Sequence, residues 1–227
     1  MAVKRTFIPN QVFVGLPWKT VRPRYVRIID RLVSKFPIHF TIVGRNDGQD
    51  AEDLFEVIKT RISSSSFAIF DATGGNANVS LEYGYAEALS IPRAIYISTH
   101  KAARAIAGTP IISDLGGKRR NQYKTETVLS AHLHAFCREH NFTIRFENFL
   151  SKASRNLSKG AKKSQRTLAL KIIHIFDGED ELRREDLIQR IQAKGYGITE
   201  IESLIKSLHA AGLINVTSGR YASARVT

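Results

Sequence analysis

The sequence has little cysteine and no long apolar run. Cys137 is the single cysteine among 227 residues, so no disulfide can form within the chain, as is typical of proteins from a reducing compartment. No apolar stretch reaches the length of a bilayer-spanning helix, and the N-terminal residues lack the apolar core of a signal peptide. We therefore expect a cytoplasmic protein without a membrane partner.

Acidic residues are also scarce. The chain has 21 Asp and Glu against 34 Lys and Arg, which gives a formal net charge of +13 and a pI near 10.0. Such a charge favours a polyanionic partner, and DNA or RNA is the first candidate. The 7 histidines are scattered without the spacing of metal ligands, so we expect neither a metal nor a resident cofactor.

Short apolar runs alternate with longer amphipathic segments over the first two thirds of the chain. This alternation predicts an α/β fold with a parallel sheet and helices on both faces. The predicted strands are residues 11–16, 38–43, 67–71, 94–98 and 142–146. The predicted helices are residues 23–36, 51–64, a segment that starts near residue 78, and residues 125–139. The Gly-, Lys- and Arg-rich segment 99–123 is predicted to be an irregular loop.

The composition changes at Ser151. From Lys152 to Lys171 the chain has basic residues and no acidic one, and beyond this stretch three helical patterns precede two short strands. That order resembles a winged-helix domain. The sequence thus predicts an α/β domain over residues 1–150, a basic linker or helix over 151–166, and a winged-helix domain over 167–227.

The helix expected to read DNA in such a domain has the sequence ITEIESLIKSLHAAG. Its Glu200 and Glu202 suit base edges poorly, so we expect sequence-neutral phosphate contacts from basic residues elsewhere. The alternative is a winged helix that binds protein. The residues expected to contact nucleic acid are Lys152, Arg155, Lys159, Lys162, Lys163, Arg166, Arg183, Arg184 and Arg220.

A candidate ligand site follows the third predicted strand. Asp71 ends this strand, and in open parallel sheets ligands bind beyond the carboxyl ends of the strands. Small residues then precede Asn78, which is predicted to cap the next helix. Glu82 follows near the start of that helix, on the same face as Tyr85, where the helix dipole is expected to keep its carboxylate ionised.

These residues resemble a known signature. Asp71, the pair Asn78-Val79 and the run LEYGYA at residues 81–86 are similar to the Asp…Asn-Val-x-x-Glu-x-Gly-x-Ala pattern of nucleoside 2-deoxyribosyltransferase-like proteins and related TIR-like domains. The segment VFVGLPW at residues 12–18 is similar to the opening strand of that family, so the resemblance covers roughly residues 10–100. It implies a flavodoxin-like sheet that cleaves N-glycosidic bonds.

The resemblance also implies roles for individual residues. Glu82 corresponds to the catalytic carboxylate, and Asp71 corresponds to a second functional acid that contacts base or sugar. The residues implied in substrate binding are Gly15, Pro17, Trp18, Arg22, Gly74, Gly75, Asn78 and Tyr85. One departure concerns Phe13, which stands where the transferases have a tyrosine that hydrogen-bonds the nucleophile.

The predicted domain order resembles effectors of bacterial antiphage systems, including retron effectors. In these proteins a deoxyribosyltransferase-like domain precedes a winged helix, and a nucleic acid or a partner protein restrains the toxic domain. We therefore expect hydrolysis of an N-glycosidic bond in NAD, a nucleoside or a nucleotide. One alternative is a non-catalytic regulator whose α/β domain binds a nucleotide and whose winged helix binds DNA. The other is a purely structural adaptor. Any of these is compatible with a homo-oligomer.

Overall fold

The computed structural model describes residues 6–44, 51–100, 120–176, 181–217 and 220–225, although not the side chains of residues 51–53 and 217. The described chain forms two compact units. The first unit comprises residues from 1–32 and 40–136, and the second comprises residues from 33–39 and 137–226. Within the described residues, no helix is both long and apolar enough to cross a bilayer.

A five-stranded parallel sheet forms the centre of the first unit. Its strands are β1 (Ile8–Gly15), β2 (His39–Thr41), β3 (Ser65–Asp71), β4 (Arg93–Ser98) and β5 (Arg120–Tyr123). Their order is β2-β1-β3-β4-β5, with parallel pairing from β1 through β5. This order is compatible with a flavodoxin-like fold, in which the chain reverses direction across the sheet between β1 and β3, so that their carboxyl ends flank a crevice.

The helices that flank this sheet are α1 (Arg22–Val33), α2 (Ala51–Ser63), α3 (Ala77–Ala88) and α4 (Glu126–Glu139). Helix α1 buries Tyr25, Ile28, Ile29 and Leu32, which lie on one face at helical spacing. The aromatic ring of Phe70 packs against the rings of Phe13 and Tyr83. The distances between ring centres are 5.9 Å to Phe13 and 5.5 Å to Tyr83. This apolar contact fixes α3 over β1 and β3, and α3 is the helix that carries Glu82.

Two predicted elements were wrong. Residues 142–146, predicted as a strand, lie in helix α5 (Asn141–Ala153), where Phe142, Phe146 and Leu150 are buried at a spacing of four residues. The fifth strand is instead β5, in the segment predicted to be a loop. Its sequence RNQY lacks an apolar run because it is an edge strand, and only Tyr123 is fully buried. Residues 101–119 of that predicted loop lie outside the described residues.

The second unit combines helices with a small antiparallel sheet. After α5 come α6 (Lys159–His174), β6 (Leu182–Arg183), α7 (Arg184–Gln192), α8 (Ile198–Ala210), β7 (Ile214–Thr217) and β8 (Arg220–Ser223). The strands are ordered β6-β8-β7 and pair antiparallel. Its core is made by fully buried residues from the three central helices, namely Leu168, Ile172, Leu187, Ile191, Ile201 and Leu208.

The unit boundaries differ from the predicted domain boundaries. The first unit ends at Phe136, so α5 belongs to the second unit, whereas the sequence placed the break after residue 150. Of the predicted linker or helix at 151–166, most residues are helical, in the end of α5 and the first half of α6. Residues 33–39 also belong to the second unit. Arg166 donates a 2.9 Å hydrogen bond to the carbonyl of Lys35, and His174 Nε2 lies 2.9 Å from the carbonyl oxygen of Phe36.

Candidate active site

The turn between β3 and α3 places Glu82 over the sheet. Gly74 and Gly75 have φ values of 85° and 62°, which favour glycine, and they reverse the chain after β3. Asn76 then caps α3, because its Oδ1 accepts hydrogen bonds from the backbone N–H groups of Asn78, at 2.9 Å, and Val79, at 3.3 Å. The prediction that Asn78 is the cap was therefore wrong, and the Asn78 side chain is exposed.

The Glu82 side chain points inward. Its Oε2 atom is enclosed and has no hydrogen-bond partner among the described residues. It lies against Gly15, the last residue of β1, so closely that a Cβ atom at position 15 would overlap with Oε2 and would also lie 2.8 Å from a ring carbon of Phe70. A glycine is thus needed at the end of β1 for the carboxyl group of α3 to occupy this position.

A small cavity adjoins this carboxyl group. Its volume is about 30 Å³, which is room for one or two water molecules but not for a nucleoside. The cavity is lined by Phe13, Val14, Gly15, Leu16, Trp18, Ile42, Val43, Leu54, Ile58 and Glu82. Glu82 is the only ionisable side chain in this described lining. The cavity therefore places a single acid in apolar surroundings, beside the carboxyl end of β1.

Burial determines the protonation of Glu82. Desolvation raises the pKa of Glu82 from 4.5 to about 7. A shift of this size corresponds to roughly 3 kcal/mol, whereas a charge near a helix N-terminus gains only about 0.3–1 kcal/mol. The expectation that the helix dipole keeps Glu82 ionised was therefore wrong. Near neutral pH the group is divided between its protonated and ionised forms, so it can both donate and accept a proton.

Asp71 has very different surroundings. Its carboxylate is 0% exposed and accepts hydrogen bonds from the Tyr25 hydroxyl at 3.0 Å, the Tyr123 hydroxyl at 2.6 Å and the Thr73 backbone N–H at 2.9 Å. Burial raises the pKa of Asp71, and these hydrogen bonds act in the opposite direction. Asp71 does not line the Glu82 cavity. The structure thus gives this acid a structural position and no contact surface for the predicted sugar or base.

The remaining predicted substrate residues separate into two groups. Gly15 and Trp18 line the cavity with Glu82, and the Arg22 guanidinium lies 4.2 Å from the centre of the Trp18 ring, a cation–π contact. The Nε atom of Arg22 is enclosed and has no hydrogen-bond partner among the described residues. The other predicted residues do not line the cavity, and these are Pro17, Gly74, Gly75, Asn78 and Tyr85.

Sequence reasoning missed part of the cavity wall. Ile42 and Val43 follow β2, and Leu54 and Ile58 come from α2. The only sequence signal for them was the apolar face of α2, which indicates burial in general and not proximity to Glu82. Their position depends on contacts between elements that are far apart in the chain.

The predicted nucleic-acid contacts of the second unit are partly paired with acids. Arg166 pairs with Glu147 at 2.6 Å, Arg220 pairs with Glu181 at 3.3 Å, and Arg184 pairs with Glu202. The others are exposed and have no acidic partner among the described residues, and these are Lys152, Arg155, Lys159, Lys162, Lys163 and Arg183. The unpaired cations are therefore concentrated between the end of α5 and the first half of α6.

Over the described part of the chain, no group of three or more His, Cys, Asp or Glu side chains is arranged to hold a metal ion. In comparisons with known proteins, no family model matches the chain and no curated protein matches it. The chemistry of the site therefore has to be inferred from its geometry. The site has one enclosed carboxyl group, that of Glu82, with a pKa of about 7. Trp18 lines the same cavity, and the Arg22 guanidinium packs on the Trp18 ring.

Proposed function

We propose that the first unit cleaves the N-glycosidic bond of NAD, a nucleotide or a nucleoside, and that Glu82 is the catalytic carboxylate. The observation that carries this proposal is the enclosed Oε2 atom, which has no hydrogen-bond partner among the described residues. Burying a carboxyl group without a partner costs stability, and carboxyl groups with raised pKa values cluster at functional sites. The position at the end of β1 is where open parallel sheets bind ligands.

The reaction would use the negative charge of Glu82. When the bond between C1 of the sugar and the base nitrogen breaks, its electron pair leaves with the base and positive charge develops at C1. An ionised carboxylate in apolar surroundings stabilises that charge more strongly than it would in water. Glu82 either bonds to C1 and is later displaced by water, or faces C1 while water attacks it directly. In both routes water adds a hydroxyl group to C1, and its second proton goes to a neutral leaving base or to solvent.

The cavity lining favours a substrate whose base is already cationic. A neutral purine or pyrimidine leaves more easily when a second acidic group protonates it, but the described lining contains no ionisable side chain besides Glu82. The nicotinamide ring of NAD carries a positive charge and leaves as a neutral molecule without protonation. Among the proposed substrates, NAD therefore fits this site best.

Trp18 and Arg22 provide the contacts for the rest of a nucleotide. The indole can stack on a base, and the unpartnered Nε of Arg22 can donate to a phosphate oxygen. Because the cavity holds only about 30 Å³, Trp18 or the α2 side chains Leu54 and Ile58 must move to admit a sugar. Substrate binding should therefore change the fluorescence of Trp18, the single tryptophan of the chain.

For the second unit we propose a winged-helix domain that binds nucleic acid or a partner protein and thereby restrains the first unit, as in a cytoplasmic antiphage effector. The order α6-β6-α7-α8-β7-β8 and the antiparallel sheet support this proposal. The net charge of +13 supports a nucleic acid as the controlling partner.

Base release tests the catalytic proposal. The full-length protein is incubated with NAD, nucleoside monophosphates and deoxynucleosides, and free base is measured by chromatography. Glu82→Gln keeps the size of the side chain but cannot ionise, so base release should fall by roughly 10³-fold. Glu87→Gln on the same helix is the control, because Glu87 is bonded to Arg93 at 2.6 Å and does not line the cavity. Full activity of Glu82→Gln would contradict the assignment.

A second function is favoured by Phe13. This residue lines the cavity but has no hydroxyl to orient the carboxyl group of Glu82, whereas the transferases that the sequence resembles have a tyrosine there. Under this alternative the first unit senses a nucleotide without cleaving it, and the second unit binds DNA as a regulator. Calorimetry would then detect binding of NAD or a nucleotide, while prolonged incubation would release no base from any of them.

A further inference from the structure

The second unit has an open groove beside α5. Its volume is about 560 Å³, which is in the size range of sites for ligands such as a nucleotide. The groove is lined by Arg145, Asn148, Phe149, Lys152, Ala153 and Ala211. The four larger α5 residues of this wall, Arg145, Asn148, Phe149 and Lys152, form pairs three or four positions apart and therefore lie along one side of the helix. The adjoining face of α5 packs into the core through Phe142, Phe146 and Leu150.

The groove wall is cationic and contains an aromatic ring. No acidic side chain lines it. Arg145 is fixed in place because its Nη2 donates to the carbonyls of Ala211, at 3.3 Å, and Gly212, at 3.0 Å, just after α8. Lys152 is exposed and has no acidic partner among the described residues. Glu147, the acid of α5, is paired with Arg166 and does not line the groove.

We propose that this groove binds single-stranded nucleic acid. Phe149 is half-buried and lines the groove, so its ring offers a stacking surface for a base. The Asn148 amide offers a donor and an acceptor for a base edge, and Arg145 and Lys152 contact phosphates. A duplex would keep its bases stacked on each other and away from Phe149, so a single strand is favoured. This inference rests on the proposed nucleic-acid-binding role of the second unit and does not depend on catalysis by Glu82.

Other surfaces of the second unit are less suited to a nucleic acid. Helix α8 exposes Glu200, and its Glu202 is paired with Arg184. The groove, in contrast, includes Lys152, the first residue of the acid-free stretch that continues to Lys171. The same stretch of sequence carries the exposed Lys159, Lys162 and Lys163, and several cations close together in the chain favour a polynucleotide over a single nucleotide.

Fluorescence anisotropy with the full-length protein tests the stacking contact. A labelled 12-nucleotide dT strand should bind more tightly than a 12-base-pair duplex at the same salt concentration. Phe149→Leu keeps an apolar side chain but removes the aromatic face, and should raise Kd for the dT strand by roughly 5- to 50-fold. Phe149→Trp should restore binding, which separates stacking from packing. Phe55→Leu, at a partly exposed phenylalanine of α2 in the first unit, is the control and should leave Kd unchanged.

Salt titration tests the phosphate contact. Lys152→Gln should reduce the slope of log K against log salt by about 0.7, the value for one contact to a single strand. Lys206→Gln removes an exposed charge of α8 outside the groove and should leave the slope unchanged. The proposal is overturned if Phe149→Leu binds dT like the unchanged protein, if the duplex binds equally tightly, or if an acidic peptide competes equally well. Glu82→Gln should bind dT normally, so a failure here is distinct from a failure of the catalytic proposal.

Discussion

Two buried carboxyl groups, Asp71 and Glu82, are separated by one turn and part of a helix, but their surroundings are opposite. Asp71 accepts hydrogen bonds from two tyrosine hydroxyls and a backbone N–H, whereas the enclosed oxygen of Glu82 has no partner among the described residues. Burial raises the pKa of both groups, but only Asp71 has hydrogen bonds that oppose the shift. Asp71 thus stabilises the fold, and Glu82 remains available to a ligand.

The largest effect is expected when Asp71, the hydrogen-bonded acid, is removed. Asp71→Ala leaves the hydroxyls of Tyr25 and Tyr123 and the Thr73 N–H without an acceptor, which should lower the free energy of unfolding by about 4 kcal/mol. Urea denaturation followed by Trp18 fluorescence measures this loss in the first unit. Glu82→Gln is the matched comparison and should cause no loss. Equal losses of unfolding free energy in the two variants would contradict the different roles of Asp71 and Glu82.

The pH dependence of stability separates the two acids next. The pKa of Glu82 is raised from 4.5 to about 7, so between these values the folded state binds a proton that the unfolded chain releases. The stability from protonated Glu82 is complete below pH 4.5 and is lost as the pH rises to 7. Allowing for partial solvent exposure, we expect a decline of about 2–3 kcal/mol over this range. Urea titrations should show a correspondingly shallower decline for Glu82→Gln, and identical profiles would contradict the inward position of Glu82.

A smaller effect is expected when the space beside Glu82 is filled. A Cβ atom at position 15 would overlap with Glu82 Oε2 and crowd Phe70, so Gly15→Ala should cost about 2 kcal/mol and abolish base release. Gly84→Ala is the control, because a Cβ atom on that glycine of α3 would meet nothing within 4 Å. It should stabilise the helix by about 1 kcal/mol. Equal effects of both substitutions on the free energy of unfolding would contradict the close contact between Gly15 and Glu82.

The smallest change would make Glu82 more like Asp71. Phe13→Tyr adds a hydroxyl to the cavity wall, and a hydrogen bond from it to Oε2 should lower the pKa of Glu82 by about one unit, or roughly 1 kcal/mol. The measurement is the midpoint of the pH-dependent stability change. Phe67→Tyr, which adds the same hydroxyl outside the cavity, should leave that midpoint where it is. An unshifted midpoint in Phe13→Tyr as well would show that position 13 cannot orient Glu82.

Much of the first unit was predictable because its central strands and amphipathic helices have strong patterns. Strands β1, β3 and β4 contain the apolar runs VFV, FAIF and AIYI, and helices α1 and α2 follow from their spacing of apolar residues. The polar edge strand β5 has no such pattern, and the five residues FTIRF at 142–146 imitate a strand because the helical repeat emerges only over a longer window.

The candidate site was only partly predictable. The motif around Glu82 pointed to a side chain that lines the cavity, but the enclosure of that side chain depends on Gly15 and on α2, which lie far away in the sequence. The two tyrosine partners of Asp71 are 46 and 52 residues distant, so no local pattern could show that this acid accepts hydrogen bonds from both hydroxyls. The winged-helix assignment of the second unit stays a prediction.

The second unit is discontinuous in sequence, which has a consequence for its folding. Residues 33–39 are bonded to α6 through the carbonyls of Lys35 and Phe36, at sequence separations of 131 and 138 residues. A ribosome has therefore synthesised the whole first unit before these bonds can close, and a loop of that length makes closure slow. A fragment that begins at Cys137 would lack both carbonyl acceptors and should fold less stably than the same residues in the intact chain.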